Sequence, residues 1–376
     1  LEMEIAEARK LFPVTRHYAY LNHASISPLS TRVALAMAQV VVDFREHGGM
    51  NEERWMEQVE EVRKLVARLI NARPEEIALT PNTSHGLIIV ANGLDWQEGD
   101  NIVTAETEFP ANVYPWVYLK RLGVETRFAP AREGRILVED VAGMMDERTR
   151  LVALSFVEFG TGYRNDLAAI GELCRKRGVL FSVDAIQGLG ALPLDVRTCR
   201  VDFLSAGGPK WLMGPEGTGI FYCREELIER LTPALIGWRS VVDRDDYYRY
   251  DSPLLPDARR FEPGTRNIPG LVGLGASLET LLEVGIPRIE EQVLALTDHL
   301  IEGLEARGYE VATPHERREE RSGIVAFQHK EHPVDGLYRR LMEADVVVSL
   351  RGGTIRVSPH FYNVEEELDR LLEALP

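Results

Sequence analysis

The chain has 376 residues, 45% hydrophobic and 27% charged, with a formal net charge of −16 and a pI of about 5.2. Acidity of that size argues against a surface for nucleic acid or an anionic membrane, and the length calls for one large domain with a smaller partner. Its three cysteines, Cys174, Cys199 and Cys223, are odd in number and follow no CxxC or Cys/His ligand spacing, so neither a disulfide framework nor a metal site is expected.

From the N-terminus, short apolar runs at 77–80, 101–105, 125–128, 151–156, 180–184, 202–205 and 219–222 read as buried strands. Helical patterns separate most of them, at 55–70, 87–93, 167–177 and 224–231. Strand–helix alternation of this kind predicts an α/β domain with a largely parallel sheet covered on both faces. After about Gly273 the pattern changes. A long helical stretch at 274–305, interrupted at Gly285-Ile286-Pro287, leads to a strand at 323–328, a helix at 334–344, a strand pair through 346–357 and a last helix at 364–375. The division expected is a large α/β domain over 16–273 and a small α+β domain from 1–15 and 274–376. No apolar run approaches the ~20 residues that span a bilayer. The acidic start, Leu1 to Glu4, is unlike a signal peptide, so a cytoplasmic protein is expected.

Three segments near the C-terminal ends of these strands, where open α/β sheets bind ligands, carry chemistry. Thr80-Pro81-Asn82-Thr83-Ser84-His85-Gly86 ends a strand and opens a helix; its hydroxyls and bare N–H groups form an anion cradle or, more plainly, an N-cap. In Ser182-Val183-Asp184-Ala185-Ile186-Gln187 an acid ends an apolar strand, where burial is costly without a cationic or strongly donating partner. A protonated pyridine nitrogen is one such partner, and a cap on the next turn is the other reading of Asp184. In Ser205-Ala206-Gly207-Gly208-Pro209-Lys210-Trp211-Leu212-Met213 a lysine sits between a tight turn and an apolar run. Desolvation there would lower its pKa and free its amine for imine formation; a lysine at a loop edge is the alternative.

The order and spacing of these segments resemble the class V aminotransferase superfamily of pyridoxal-phosphate enzymes, fold type I, which includes cysteine desulfurases, kynureninase and isopenicillin N epimerase. The resemblance runs from Tyr20-Leu21-Asn22-His23-Ala24 through Glu108-Phe109-Pro110-Ala111-Asn112 and Arg260–Asn267 to Arg356–Asn363. It implies a large domain with a mostly parallel seven-stranded sheet and pyridoxal 5′-phosphate held as a Schiff base on Lys210. It further implies that Asp184 holds the ring nitrogen, Gln187 the phenolic oxygen, and Thr83, Ser84 and Ser205 the phosphate. Phe109 would stack on the ring. Thr265 would reach the phosphate of a partner subunit, which implies a homodimer with sites at the interface. Arg356 would grip the substrate α-carboxylate with its bidentate fork, with Asn22, His23 and Ala24 on the substrate side.

Two departures narrow the chemistry. Desulfurases of this superfamily place a histidine over the ring where this chain has Phe109. They also carry a nucleophilic cysteine shortly before the substrate arginine, whereas the stretch from Val346 to Arg356 contains none. The reaction expected is therefore transamination of a small α-amino acid, with a C–S lyase or epimerase of the same superfamily as the alternative. Glu158 reads as a second acid/base or a cap on its turn, and Arg239 and Arg351 as anion contacts or structural ion pairs. A Rossmann-type nucleotide enzyme is disfavoured because Pro193 stands where the third glycine of that fingerprint belongs. A non-catalytic dimeric scaffold would need none of Lys210, Asp184, Gln187 and Arg356.

Overall fold

The computed structural model describes residues 3–376; Leu1 and Glu2, part of the acidic start, lie outside the described residues. Seven strands form the central sheet: β1 (Ile77–Thr80), β2 (Asn101–Ala105), β3 (Glu125–Ala129), β4 (Thr149–Ser155), β5 (Leu180–Asp184), β6 (Phe203–Gly207) and β7 (Gly219–Cys223). Their order is β1-β7-β6-β5-β4-β2-β3, and β7 alone runs antiparallel to its neighbours. β1, β2, β6 and β7 are buried at every position, as unbroken apolar runs covered on both faces should be. The strands expected from sequence lie within two residues of these bounds.

Helices pack on the sheet where the sequence is amphipathic, as in α1 (Thr31–His47), α2 (Glu52–Ile70), α3 (Thr83–Gly93) and α4 (Leu167–Arg177). The first of these has no counterpart in the sequence reading. It buries only Val33 and Val40 and leaves Leu35, Val41 and Val42 exposed, which blurs its period. Helix α5 (Ile268–Val284) starts six residues before its pattern predicts, because Gly270, Gly273 and Gly275 disguise it as a loop. Asn267 caps it by accepting from the Gly270 N–H at 3.1 Å, and Pro269 occupies its first turn. A Cβ on Gly273 or Gly275 would collide with Met37 or Val62, so those glycines let α5 press against α1 and α2.

Residue 273, where the sequence changes character, lies inside α5. The chain passes between the two cores along the next helix, α6 (Ile286–Ala306), set 81° to α5. Ile286, Ile289 and Val293 at its start belong to the main core, and Leu296, Leu300 and Leu304 to a second one. This second core lies beneath a four-stranded antiparallel sheet: β8 (Glu310–Val311), β9 (Val325–Gln328), β10 (Ser349–Arg351) and β11 (Thr354–Val357), in the order β8-β9-β11-β10. Helices α7 (Val334–Glu343) and α8 (Glu365–Ala374) complete it. The N-terminal segment sits at the junction: Ala8 and Phe12 join the main core, while Arg9 donates to Tyr362 O and pairs with Glu367. Among the described residues no single helix is long and apolar enough to cross a membrane.

A buried ion cluster ties the segment around Thr265 to the sheet. Glu262 accepts from Arg63 Nη1 at 2.6 Å and from the Leu79 N–H of β1 at 2.9 Å, and pairs with Arg266 at 2.5 Å. Removing one member of such a cluster strands the others as uncompensated buried charge. Glu262→Ala should therefore lower unfolding free energy by about 3–5 kcal/mol, read as a lower midpoint in urea titration; an unchanged midpoint would show the cluster to be energetically silent.

Candidate active site

All three segments singled out in the sequence meet at the C-terminal edge of the sheet, because parallel strands deliver their ends to one side. Register makes the neighbourhood explicit: Ser155 pairs with Asp184, and Asp184 with Ser205. Thr83 begins α3 directly after β1. The cap of that helix is Asn82, whose side chain accepts from the His85 N–H at 2.9 Å, so the Thr83 and Ser84 hydroxyls are not used as caps. Thr83 Oγ1 and Ser205 Oγ are both buried and without a hydrogen-bond partner among the described residues. A Cβ on Gly86 would lie 2.3 Å from Ser205 Oγ, so the helix start and β6 close together around this hydroxyl pocket. Unpaired buried hydroxyls are costly, and a phosphate group satisfies them.

Lys210 follows β6 on the turn Gly207-Gly208-Pro209. Its backbone is pinned by Ser27, whose Oγ donates to Lys210 O at 2.5 Å and whose N–H donates to Pro209 O at 2.7 Å. Its amine lies 5.5 Å from the centre of the Phe109 ring. Burial pulls the ammonium pKa down to about 8, with Asp184 opposing the shift and Arg356 and Arg351 adding to it. Asp184 itself is buried and pushed up to about 6 by desolvation; it accepts from the Ile186 N–H at 3.0 Å and has no cation in direct contact among the described residues. Both groups are thus held in a medium that penalises their charges, which is the setting a cationic ring nitrogen beside Asp184 and a neutral amine on Lys210 require.

Gln187 uses its amide on both sides, donating from Nε2 to Ala24 O at 3.0 Å and accepting at Oε1 from Trp211 Nε1 at 3.0 Å. One Nε2–H remains for a ligand oxygen. Arg356, on β11, is 1% exposed. It donates from Nη1 to Phe159 O and from Nη2 to Ser25 Oγ, both at 2.8 Å, and its Nε is buried without a partner. No carboxylate of the described residues pairs with Arg356. Burial, then the charge of Arg351, lowers its pKa to about 10.

Other expected residues take different places. His23 is fully buried with both ring nitrogens engaged, Nδ1 with Ser358 O at 2.8 Å and Nε2 with the Tyr362 hydroxyl at 2.7 Å. It supports the site's floor and has no nitrogen left for a substrate, contrary to the sequence expectation. Ala24 contributes its carbonyl to Gln187 and its N–H to Ser358 Oγ, so its backbone is likewise committed to the scaffold. Asn22 keeps a buried, unpartnered Oδ1. Thr265 is exposed on this chain. Glu158 caps nothing with its carboxylate, which accepts from Thr107 Oγ1 and Asn165 Nδ2, both at 2.8 Å. Burial raises its pKa, and burial together with the charge of Glu158 raises that of neighbouring Glu108. Arg239 stacks on Trp238 near Arg266 and Arg244, whereas the cations acting on Lys210 are Arg356 and Arg351. Sequence reasoning passed over Ser25 and Ser27, which stand just beyond the Asn22–Ala24 motif, and Ser349, whose two-residue spacing from Arg351 was its signal.

These features define an α/β enzyme with a ligand site built around a desolvated lysine. The chain belongs to the aminotransferase class V family, whose model matches residues 19–371. It is 32% identical to a probable cysteine desulfurase of Methanothermobacter thermautotrophicus, over 99% of this chain and 98% of that protein. The apo structure of a cysteine desulfurase from Thermococcus onnurineus NA1 superposes with a TM-score of 0.91 at 30% identity, covering 99% of this chain and 97% of that one. The cystine C–S lyase C-DES, solved with its product cysteine persulfide, gives a TM-score of 0.89 at 26% identity, covering 96% and 98%. The architecture is that of the fold-type I pyridoxal-phosphate enzymes.

Condensation of an aldehyde cofactor with Lys210 would require its amine in the neutral form. With its pKa near 8 rather than 10.5, the uptake rate should climb about tenfold per pH unit up to pH 8 and level off about one unit above it. Stopped-flow absorbance follows this; a rate still climbing at pH 10 would show the amine to be unperturbed.

Proposed function

We propose that this protein is a pyridoxal-phosphate enzyme acting at the Cα and amino group of a small α-amino acid, as an aminotransferase. The observation that carries this reading is the Lys210 amine, desolvated and set among Asp184, the unpaired hydroxyls of Thr83 and Ser205, and the carboxylate-free Arg356. When bound, the cofactor supplies an aldehyde that condenses with amines and a ring that accepts electron density from Cα.

The chain's own residues do the rest. Thr83, Ser84 and Ser205, with the first N–H groups of α3, hold the phosphate. Asp184 holds the proton on the ring nitrogen, and its ionised form is favoured once that cation replaces the solvent it lacks. Gln187 donates its remaining N–H to the phenolic oxygen, and Phe109 covers the ring. Arg356 orients the substrate by its α-carboxylate. Lys210, whose lowered pKa leaves a fraction of its amine neutral near physiological pH, removes the Cα proton and returns it.

A C–S lyase is the second reading, favoured by the likeness to C-DES across nearly the whole chain. A persulfide route through a protein thiol finds no thiolate here. The β10–β11 hairpin has no cysteine, Cys174 and Cys223 are buried, and burial pushes the Cys174 thiol up to about 12 and raises those of Cys199 and Cys223. Three free thiols also support a reducing, cytoplasmic setting.

Three experiments test the proposal. Holoprotein should be yellow, bleach with borohydride and carry the cofactor adduct on Lys210; Lys210→Ala should lose at least 10³-fold in turnover by removing the Cα base. A protein that takes up no cofactor sinks the reading. Release of pyruvate and ammonia without an amino acceptor favours the lyase over the transaminase. We further propose a homodimer in which Thr265, exposed on the isolated chain, completes the partner's phosphate cradle. Sedimentation should give twice the 42.4 kDa chain mass, and Thr265→Ala should weaken cofactor binding by about tenfold, the size of one charge-assisted hydrogen bond. A monomer with full cofactor affinity overturns the dimer.

A further inference from the structure

Cross-strand partners share one face of a β-hairpin, and alternate residues point to opposite faces. In the β10–β11 hairpin Ser349 pairs with Arg356, Leu350 with Ile355 and Arg351 with Thr354. Ser349, Arg351, Thr354 and Arg356 therefore share a polar face, while Leu350 and Ile355 pack on the second core. The tip, Gly352-Gly353, has φ of 55° and 83°, a two-residue turn that side chains other than those of glycine, asparagine and aspartate resist. It locks this register and so brings both arginines to the same side.

Both reach one hydroxyl. Ser25 Oγ accepts from Arg356 Nη2 at 2.8 Å and from Arg351 Nη2 at 3.4 Å. Arg351 otherwise donates from Nη1 to Leu350 O, and no carboxylate of the described residues pairs with either guanidinium. On the same face Ser349 Oγ and Arg356 Nε are buried without partners. The protein shows elsewhere how it treats neighbouring arginines: Arg63 and Arg266 are both neutralised by the pair Glu60 and Glu262. The hairpin has the two cations and lacks the two anions. In a chain of net charge −16 two carboxylate-free guanidiniums acting on Lys210 make a local excess of positive charge that attracts anions.

We infer that the substrate is an α-amino acid with a second acidic group, of the aspartate or glutamate type, whose two carboxylates lie on Arg356 and Arg351. Arg356, buried and fixed by Phe159 O, takes the α-carboxylate; Arg351, at the open end of the hairpin, takes the distal one, and Ser25 spaces them. Arg351 is thus a specificity-determining residue. The inference rests on the amino-acid reading above and adds the substrate class to it.

The test uses holoenzyme reconstituted with pyridoxal phosphate and reads binding from the change in the cofactor absorption band, so turnover is not needed. L-Aspartate and L-glutamate should bind at least tenfold more tightly than L-alanine and L-norvaline. That preference should shrink with added salt, because the Arg351 contact is solvent-accessible. Arg351→Met should reduce the diacid-to-alanine affinity ratio by about tenfold, and Arg351→Lys, which keeps the charge, should retain most of it. A yellow protein that binds alanine as tightly as aspartate, binds neither, or keeps its ratio in Arg351→Met overturns this inference alone. A protein that takes up no cofactor overturns the reading on which it rests.

Discussion

Taking an ammonium out of water without giving it a contact ion pair is the constraint around which the site is arranged. Lys210 feels one carboxylate, Asp184, and two guanidiniums, Arg356 and Arg351, and the sum leaves its proton loosely held. Each of those charges is held by neutral groups, and none forms a salt bridge with another charge of the described residues. Such a site is stable only because its backbone is over-determined: Ser27 bonds twice to the Pro209-Lys210 segment, and Gln187 links Ala24 to Trp211. The free energy withheld from these polar groups is what a ligand that satisfied them would release.

Behind this first ring stands a second set of charges with a different logic. Glu108 and Glu158 are buried carboxylates supplied with hydroxyl and amide donors and no cation: Glu108 accepts from the Ser155 N–H, Ser155 Oγ and Asn112, and Glu158 from Thr107 and Asn165. Ser155 pairs directly with Asp184, so three acids converge on the ends of β4 and β5. Like charges so close do not all ionise, and protons held there limit the negative charge next to Asp184.

Much of this was legible in the sequence because strand ends and turns write their chemistry locally. An apolar run that stops at Asp184, or a Gly-Gly-Pro turn before Lys210, places a residue at the sheet edge without tertiary knowledge. What stayed hidden depended on the packing of distant segments. His23 looks like a ligand in its motif, yet Ser358 and Tyr362 occupy it from the far end of the chain. The start of helix α5 is hidden in the sequence because its glycines look like a loop until Met37 and Val62 are seen against them. The shared face of Ser349, Arg351, Thr354 and Arg356 follows from a period of two, but only once Gly352-Gly353 is known to be a two-residue tip.

The floor of the site also sets a schedule for the chain's own maturation. The Asn22–Ser27 loop is shaped by Ser358, Tyr362 and Arg356, and the His23–Ser358 contact spans 335 positions. Ala19–Tyr20 pairs with Val346–Val347 across a similar interval. Contacts of such separation close late, since loop entropy must be overcome before they form. On the ribosome the sheet that bears Lys210, whose last strand ends at Cys223, is made before the segment 346–362 that shapes the loop. The lysine is therefore presented early, and the residues that close around it, Ser349 to Tyr362, are made well over a hundred positions later.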